Sequence, residues 1–336
     1  MVKVALVGCG GMARHHAKTL AELPDAELVA FADPVTEQVE KFQKEHAPKA
    51  KGYAGFEELM DSPPGGLDAV VLVTPHTQHY GQSKAALEAG LHVLVEKPMV
   101  TSSEHAYDLW KTAEGSGKVL GIAFNAPYTP KYGWVAGKRD AGELGAIRVV
   151  NGWLSQRWLY GTRGKWRQDP AMSGGGQMYD SGAHVFNGIM WLVNDPVVEV
   201  GCFYDKCDSP VDINGVAIMK FQNGAMASVA IGGSTPSFIV GIQVMTENFV
   251  VTTDSYGGSL EVLDLERNTT TPEIEESDAP GAGTPQGNFI DAILGREEIK
   301  SNVRHGVMLS ALMDALYESG DSGELVQVTP VPETVG

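Results

Sequence analysis

Residues 2–13 read Val-Lys-Val-Ala-Leu-Val-Gly-Cys-Gly-Gly-Met-Ala. A short apolar run leads straight into a glycine turn, and the turn leads straight into a stretch of helical periodicity. Strand, G-x-G-x-x-A turn and helix in immediate succession make the phosphate-binding corner of a doubly wound sheet. Gly8 suits the tight turn, and Gly10 lets backbone approach a pyrophosphate without a Cβ clash. Ala13 is small enough for the helix to pack closely on the strand. Gly11 and Met12 complete the turn and fall in the same contact set. The pyrophosphate is expected at the helix N-terminus, where unpaired N–H groups and the helix dipole favour an anion.

Asp33 ends the next apolar run, about 20 residues beyond the turn, where a carboxylate accepts hydrogen bonds from the adenosine ribose. It also suits a helix cap before Pro34, and the two roles are compatible. A carboxylate there would repel a 2′-phosphate, and no Arg or Lys follows until Lys41. NAD is therefore the expected cofactor, in preference to NADP.

Outward from this corner, apolar runs at Val2–Val7, Glu27–Ala32, Asp68–Val73, Leu91–Val95 and Lys118–Ala123 alternate with helical patterns such as His79–Ala89 and Ser103–Glu114. A weaker strand falls at Lys51–Tyr53. Alternation of this kind with short connections predicts parallel βαβ units, an α/β Rossmann domain over residues 1–124. A helix at Lys131–Asp140 then opens a different pattern. Strands are expected at Ile147–Arg157, Val197–Phe203, Gly215–Phe221, Ala225–Ile231, Phe238–Val244, Phe249–Thr253 and Ser259–Leu263, with a hairpin at Asn223-Gly224. Helices are expected at Ser181–Leu192 and Gly306–Ser319, and a long surface loop at Asn268–Gly287. Residues 125–336 thus read as an α+β domain built on an open-faced, mostly antiparallel sheet. One face of it would be left for a substrate or another subunit.

Of 336 residues, 43% are hydrophobic and the formal charge is −17, so a globular protein is expected and a nucleic-acid partner is not. The acidic stretch Glu273–Asp278 reads as a solvated loop. Cysteines are only three, Cys9, Cys202 and Cys207, too few for a zinc cluster, so no metal is expected. Their sparsity fits a reducing compartment. No apolar run approaches the roughly 20 residues of a membrane span, and the chain starts directly on a strand. A cytoplasmic protein with no membrane partner is expected.

Two further places carry chemistry. Glu96-Lys97-Pro98 follows the fifth strand, so its side chains emerge at the carboxyl edge of the sheet, where open α/β sheets bind ligands. An ammonium at Lys97 would stabilise an alkoxide as it forms, and Pro98 admits a cis peptide that fixes the lysine's direction. In Gly174-Gly-Gly-Gln-Met-Tyr-Asp-Ser-Gly-Ala-His184, Asp180 and His184 stand four apart, on one face if the segment is helical. A histidine is the usual acceptor of an alcohol proton.

Together, the segments GCGGMARHH (8–16), TPHTQH (74–79), GLHVLVEKP (90–98), GELG (142–145) and GGGQMYDSGAH (174–184) resemble the glucose-fructose oxidoreductase / inositol dehydrogenase / rhizopine catabolism protein family over nearly the whole chain. The resemblance implies a catalytic lysine, aspartate and histidine at Lys97, Asp180 and His184. It implies a nicotinamide-side segment at Thr74, Pro75, His76 and His79, with Glu96 alongside. It further implies an NAD-dependent oxidoreductase acting on a sugar, inositol or sugar derivative, as a homodimer or homotetramer joined through the second sheet. Three positions depart from the family pattern: His76 stands where Asn is common, Asn187 where an acid is common, and Asn125 and Tyr128 fill the segment that often carries an Arg. The substrate side is expected at Asn125, Tyr128, Arg157, Tyr160 and Trp166. The last three belong to a stretch that also holds Trp153, Trp158, Arg163, Lys165 and Arg167; aromatic faces and forked guanidinium donors suit a sugar, and the density of arginines leaves room for an acidic or phosphorylated one. The same resemblance leaves two other functions open. One is an NAD-dependent glycosidase working by transient oxidation and elimination, and the other a non-catalytic NAD-binding sensor.

Overall fold

The computed structural model describes residues 1–275 and 282–334. Six parallel strands form the first sheet: β1 (Val2–Val7), β2 (Ala26–Ala32), β3 (Lys51–Tyr53), β4 (Ala69–Leu72), β5 (His92–Val95) and β6 (Leu120–Ile122), in the order β3-β2-β1-β4-β5-β6. All four residues of β4 are buried, as expected where helices cover both faces of a parallel sheet. The strand order reverses between β1 and β4. Connections therefore leave in opposite directions there, and a crevice opens at the carboxyl ends of the strands. The glycine turn enters that crevice. Gly8 has φ +87°, and a Cβ on it would lie 2.5 Å from the Val73 carbonyl oxygen, so only glycine fits.

The second sheet has nine strands: β7 (Ile147–Ser155), β8 (Val197–Asp205), β9 (Asn214–Phe221), β10 (Met226–Gly232), β11 (Ile239–Thr246), β12 (Phe249–Thr253), β13 (Leu260–Asp264), β14 (Thr269–Thr270) and β15 (Val326–Gln327), ordered β14-β13-β12-β11-β7-β10-β9-β8-β15. Only the β7–β10 pair is parallel. Alternation along β9 sends Ala217, Met219 and Phe221 inward, against helices Gly182–Val193 and Val303–Ser322, and leaves Val216 and Ile218 exposed. With Phe203 and Met226 these form an uncovered apolar surface on the outer face.

Three readings of the sequence need correction. The strand expected over Ile147–Arg157 ends at Ser155, because the chain turns into the short helix Trp158–Thr162. Asp180 lies in a turn two residues ahead of the helix Gly182–Val193, so it does not share a helical face with His184. The loop expected over Asn268–Gly287 contains β14 and the start of helix Pro285–Ile293; residues 276–281, and with them part of the Glu273–Asp278 stretch, lie outside the described residues. That helix carries its own start signal, a Thr284 cap accepting from the Gly287 N–H and a proline in the first turn. Phe289 and Ile290 pack into the apolar cluster of Val4, Leu6, Ala17 and Leu94. The chain beyond residue 124 thus returns to close one flank of the parallel sheet.

Candidate active site

The glycine corner is shaped for a dinucleotide. Side chains added at Gly10 or Gly11 would meet nothing within 4 Å, so the space over the turn is free for a ligand. The helix Gly11–Glu22 starts there without a side-chain cap, which leaves its first N–H groups to bind an anion. Met12 lies exposed at the same mouth. Asp33 Oδ2 accepts from the Cys9 N–H (2.7 Å) and Oδ1 from the Val35 N–H (2.8 Å). Each oxygen keeps a free lone pair, turned to the corner by a backbone clasp on both sides. These residues fit NAD.

At the carboxyl end of β5, Lys97 Nζ donates to the Asp180 side chain at 2.7 Å and to its carbonyl oxygen at 2.9 Å; the Lys97–Pro98 peptide is cis. The other oxygen of Asp180 accepts from Trp158 Nε1 (2.8 Å) and Arg167 Nε (2.9 Å). Burial alone would raise this carboxyl, but the Lys97 ammonium and the Arg167 guanidinium hold it well below the usual carboxylate range. Trp158 and Arg167 stood in the sequence only as members of the aromatic- and arginine-rich stretch Trp153–Arg167; the fold brings them to Asp180.

His184 stands in the first turn of its helix, 9% exposed, its ring edge-on to Phe124 and tilted against Tyr256, with centroids 5.8 and 4.7 Å away. Its Nδ1 is buried without a hydrogen-bond partner, and among the described residues no hydrogen bond joins it to Asp180. Burial, then the Lys97 charge, push the imidazole down to about 3. A neutral ring with an open nitrogen is a proton acceptor in waiting.

The Thr74–His79 segment closes the site from the first domain. His79 is fully buried, with Nδ1 2.8 Å from the Pro98 carbonyl and Nε2 2.9 Å from the Thr74 carbonyl. It therefore staples Thr74–Pro75 to the peptide after Lys97. His76 Nδ1 lies 3.0 Å from the Ser173 carbonyl, and Nε2 lies 3.7 Å from Asp180. Its ring meets the edge of Trp166 at 4.8 Å. Glu96 points back into the protein: Oε1 is 2.8 Å from His16 Nε2, and Oε2 accepts from the Lys97 N–H at 3.1 Å. His16 Nδ1 in turn lies 2.9 Å from Gln286 Nε2. Burial opposes the Glu96 charge, but the His16 contact outweighs it and lowers the carboxyl.

Of the substrate-side candidates, Asn125 follows Phe124, whose ring touches His184. Tyr128 must be withdrawn: its ring is buried and its hydroxyl accepts from the Ser301 N–H, inside the junction with the returning segment. Arg157 and Tyr160 are exposed and lie against each other. Sequence alone offered no signal for Tyr256, which arrives from the turn after β12. Among the described residues no group of three or more His, Cys, Asp or Glu is placed to hold a metal ion, and no helix is long and apolar enough to cross a membrane.

Comparison with known proteins agrees with this geometry. Residues 2–124 match the model described as "Oxidoreductase family, NAD-binding Rossmann fold", and residues 136–248 match the "GFO/IDH/MocA C-terminal domain". The chain is 24% identical to the D-glucoside 3-dehydrogenase of Escherichia coli (strain K12), over 97% of each chain. It is 25% identical to the scyllo-inositol 2-dehydrogenase (NAD(+)) of Bacillus subtilis (strain 168), covering 70% of this chain and 68% of that one. Its fold is that of the WlbA dehydrogenase from Bordetella pertussis, solved with NADH and UDP-GlcNAcA, at a TM-score of 0.84 and 23% identity over 98% and 99% of the two chains. The glycine corner, the clasped Asp33 and the two matching domains together make this chain a member of the GFO/IDH/MocA oxidoreductase family, with NAD as its cofactor.

Proposed function

We propose that the protein oxidises a hydroxyl of a sugar, an inositol or a sugar derivative, with Lys97, Asp180 and His184 as its catalytic residues. The observation that carries this reading is the pairing of an ammonium anchored on Asp180 with a buried neutral imidazole whose Nδ1 has no partner among the described residues. The family relatives named as glucoside and inositol dehydrogenases support the substrate class.

Bound NAD supplies the acceptor for the hydride that leaves the carbinol carbon. His184 takes the hydroxyl proton, and the oxygen becomes a carbonyl. Lys97 donates to that oxygen and stabilises the negative charge it gains on the way. Asp180 keeps the ammonium aimed, and Trp158 and Arg167 keep Asp180 aimed. Glu96, locked to His16, fixes the backbone N–H of Lys97. Phe124 and Tyr256 flank His184 and exclude water from it. Asn125, Arg157, Tyr160 and Trp166 are the groups we assign to the substrate side; Gly8, Gly10, Gly11, Met12, Asp33 and the Thr74–His79 segment are those we assign to the cofactor.

The test is an NAD-reduction screen across inositols, aldoses, sugar acids and anhydrosugars, with each product identified. Steady NADH formation matched by a keto product supports the reading. Release of a leaving group without net NADH, or NADH binding without turnover of any sugar, overturns it.

We also infer a homo-oligomer, dimer or tetramer, that buries the outer face of the second sheet against its copy, since Phe203, Val216, Ile218 and Met226 form an exposed apolar patch there. Val216→Lys with Ile218→Lys is expected to lower the mass measured by light scattering. An unchanged mass, or a monomeric parent, refutes it.

A further inference from the structure

The segment beside the site is cationic and carries no acidic residue of its own. From Leu144 to Gln168 the chain contains Arg148, Arg157, Arg163, Lys165 and Arg167 and no Asp or Glu, in a protein with 42 acidic and 25 basic residues. Arg148 pairs with Glu247, and Arg167 with Asp180. Arg157 and Arg163 form no ion pair among the described residues. Their guanidinium carbons instead converge on one ring, 5.1 and 5.9 Å from the centre of Tyr160, which is itself 50% exposed. Lys165 Nζ donates only to the Gly161 carbonyl, at 2.8 Å.

The stretch Trp158–Arg167 is tied to Asp180 at both ends. Trp158 and Arg167 donate to the same Asp180 oxygen, and Trp166 lies against His76. Arg163 and Lys165 stand between these anchors and Arg157 directly precedes the first, so the anchors limit how far all three can move from Asp180. Two guanidiniums at one ring repel each other, and each presents a rigid fork of donors that matches carboxylate or phosphate oxygens. An anion between them removes the repulsion and fills the forks.

We propose that the substrate carries an anionic group, a carboxylate or a phosphate ester, which Arg157 and Arg163 bind across Tyr160 while the reacting hydroxyl lies at Lys97 and His184. This rests on the dehydrogenase reading above, and the two are tested separately. NADH formation is followed with D-glucose 6-phosphate, D-glucuronate and D-glucose as probes. The binding of each to NAD-loaded His184→Ala protein is followed by tryptophan fluorescence, which Trp158 and Trp166 report. One of the two anions is expected to exceed glucose in kcat/KM and in affinity, and which one does so separates phosphate from carboxylate. In the Arg157→Gln/Arg163→Gln protein that preference is expected to fall about 10-fold or more, chiefly through KM, and the double lysine variant is expected to restore part of it. Absence of arginine-dependent binding by both anions overturns the proposal, whichever sugar is oxidised. Arginine-dependent anion binding without NADH from any sugar leaves the anion site standing and overturns the dehydrogenase reading.

Discussion

His184 is neutral because burial and the Lys97 charge act in the same direction, and that sets what its replacement should do. His184→Ala removes an imidazole beside Lys97 whose Nδ1 has no hydrogen-bond partner among the described residues, and it leaves the glycine corner untouched. Turnover is expected to fall by about 100-fold or more, the scale of a lost general base, while NADH fluorescence titration still shows wild-type affinity. Full turnover at neutral pH would remove His184 from that role. Asp33 makes a prediction of a different kind. Its two oxygens hold the Cys9 and Val35 N–H groups and keep one lone pair each for ribose hydroxyls. NAD should therefore be preferred by the wild-type protein, and Asp33→Asn should raise the KM for NAD and narrow the NAD/NADP ratio of kcat/KM. Equal use of NADP by the wild type would contradict the assignment. Lys97, Asp180 and His184 could be proposed from the sequence because the segments that hold them resemble those of a known family; the local patterns alone, a lysine after a strand and an Asp–His pair after glycines, are common ones. Tyr256 and His16 could not, since each reaches the site only across a long stretch of intervening chain, and the hold of Trp158 and Arg167 on Asp180 forms only once the turn between them is folded.

Elements read well wherever burial imposed a period. β1, β2, β4 and β5 fell within a residue or two of their expected places, because a strand covered on both faces must be apolar throughout. β6 came out shorter than the run Lys118–Ala123, and β7 stopped two residues early. Element ends depend on what the chain does next, not on the run itself. The helix Pro285–Ile293 was missed because its surroundings, rich in Thr, Pro and Gly, dominate the local composition. Its Thr-Pro start was present all the same. It acts through Phe289, fully buried against β1 and β5 residues of the parallel sheet. Phe289→Ala should destabilise the protein by about 3–5 kcal/mol, the usual cost of an emptied aromatic site, read from urea denaturation followed by circular dichroism. A loss under about 1 kcal/mol would mean that this helix is not part of the cooperative core.

At the scale of the whole molecule, buried histidines decide the response to acid. Burial pushes His76 and His184 down to about 3 and His305 to about 4, from the usual 6.5. Between 6.5 and those values the unfolded chain binds protons that the folded one refuses, so stability is full above 6.5 and falls as the pH drops. Asp180 and Glu96, both lowered in the folded state, extend the loss below the carboxylate range. The melting temperature should therefore hold above pH 7 and decline steadily from pH 6.5 to 4. His305→Gln, away from the site, should make that decline shallower. A melting temperature constant between pH 7 and 4.5 would show that these imidazoles are already charged in the folded protein.

The sequence by itself determined the parallel sheet, the glycine corner and the carboxylate that favours NAD. Each of these depends on short-range spacing, which the periods of strand and helix convert directly into position. Only the tertiary structure decided which groups the side chains of the site face. It paired Asp180 with Lys97 and not with His184, and took Tyr128 out of the substrate side. Contacts between distant segments follow from how two sheets and a returning helix pack. Nothing in the local pattern around residue 128 or 180 encodes that packing.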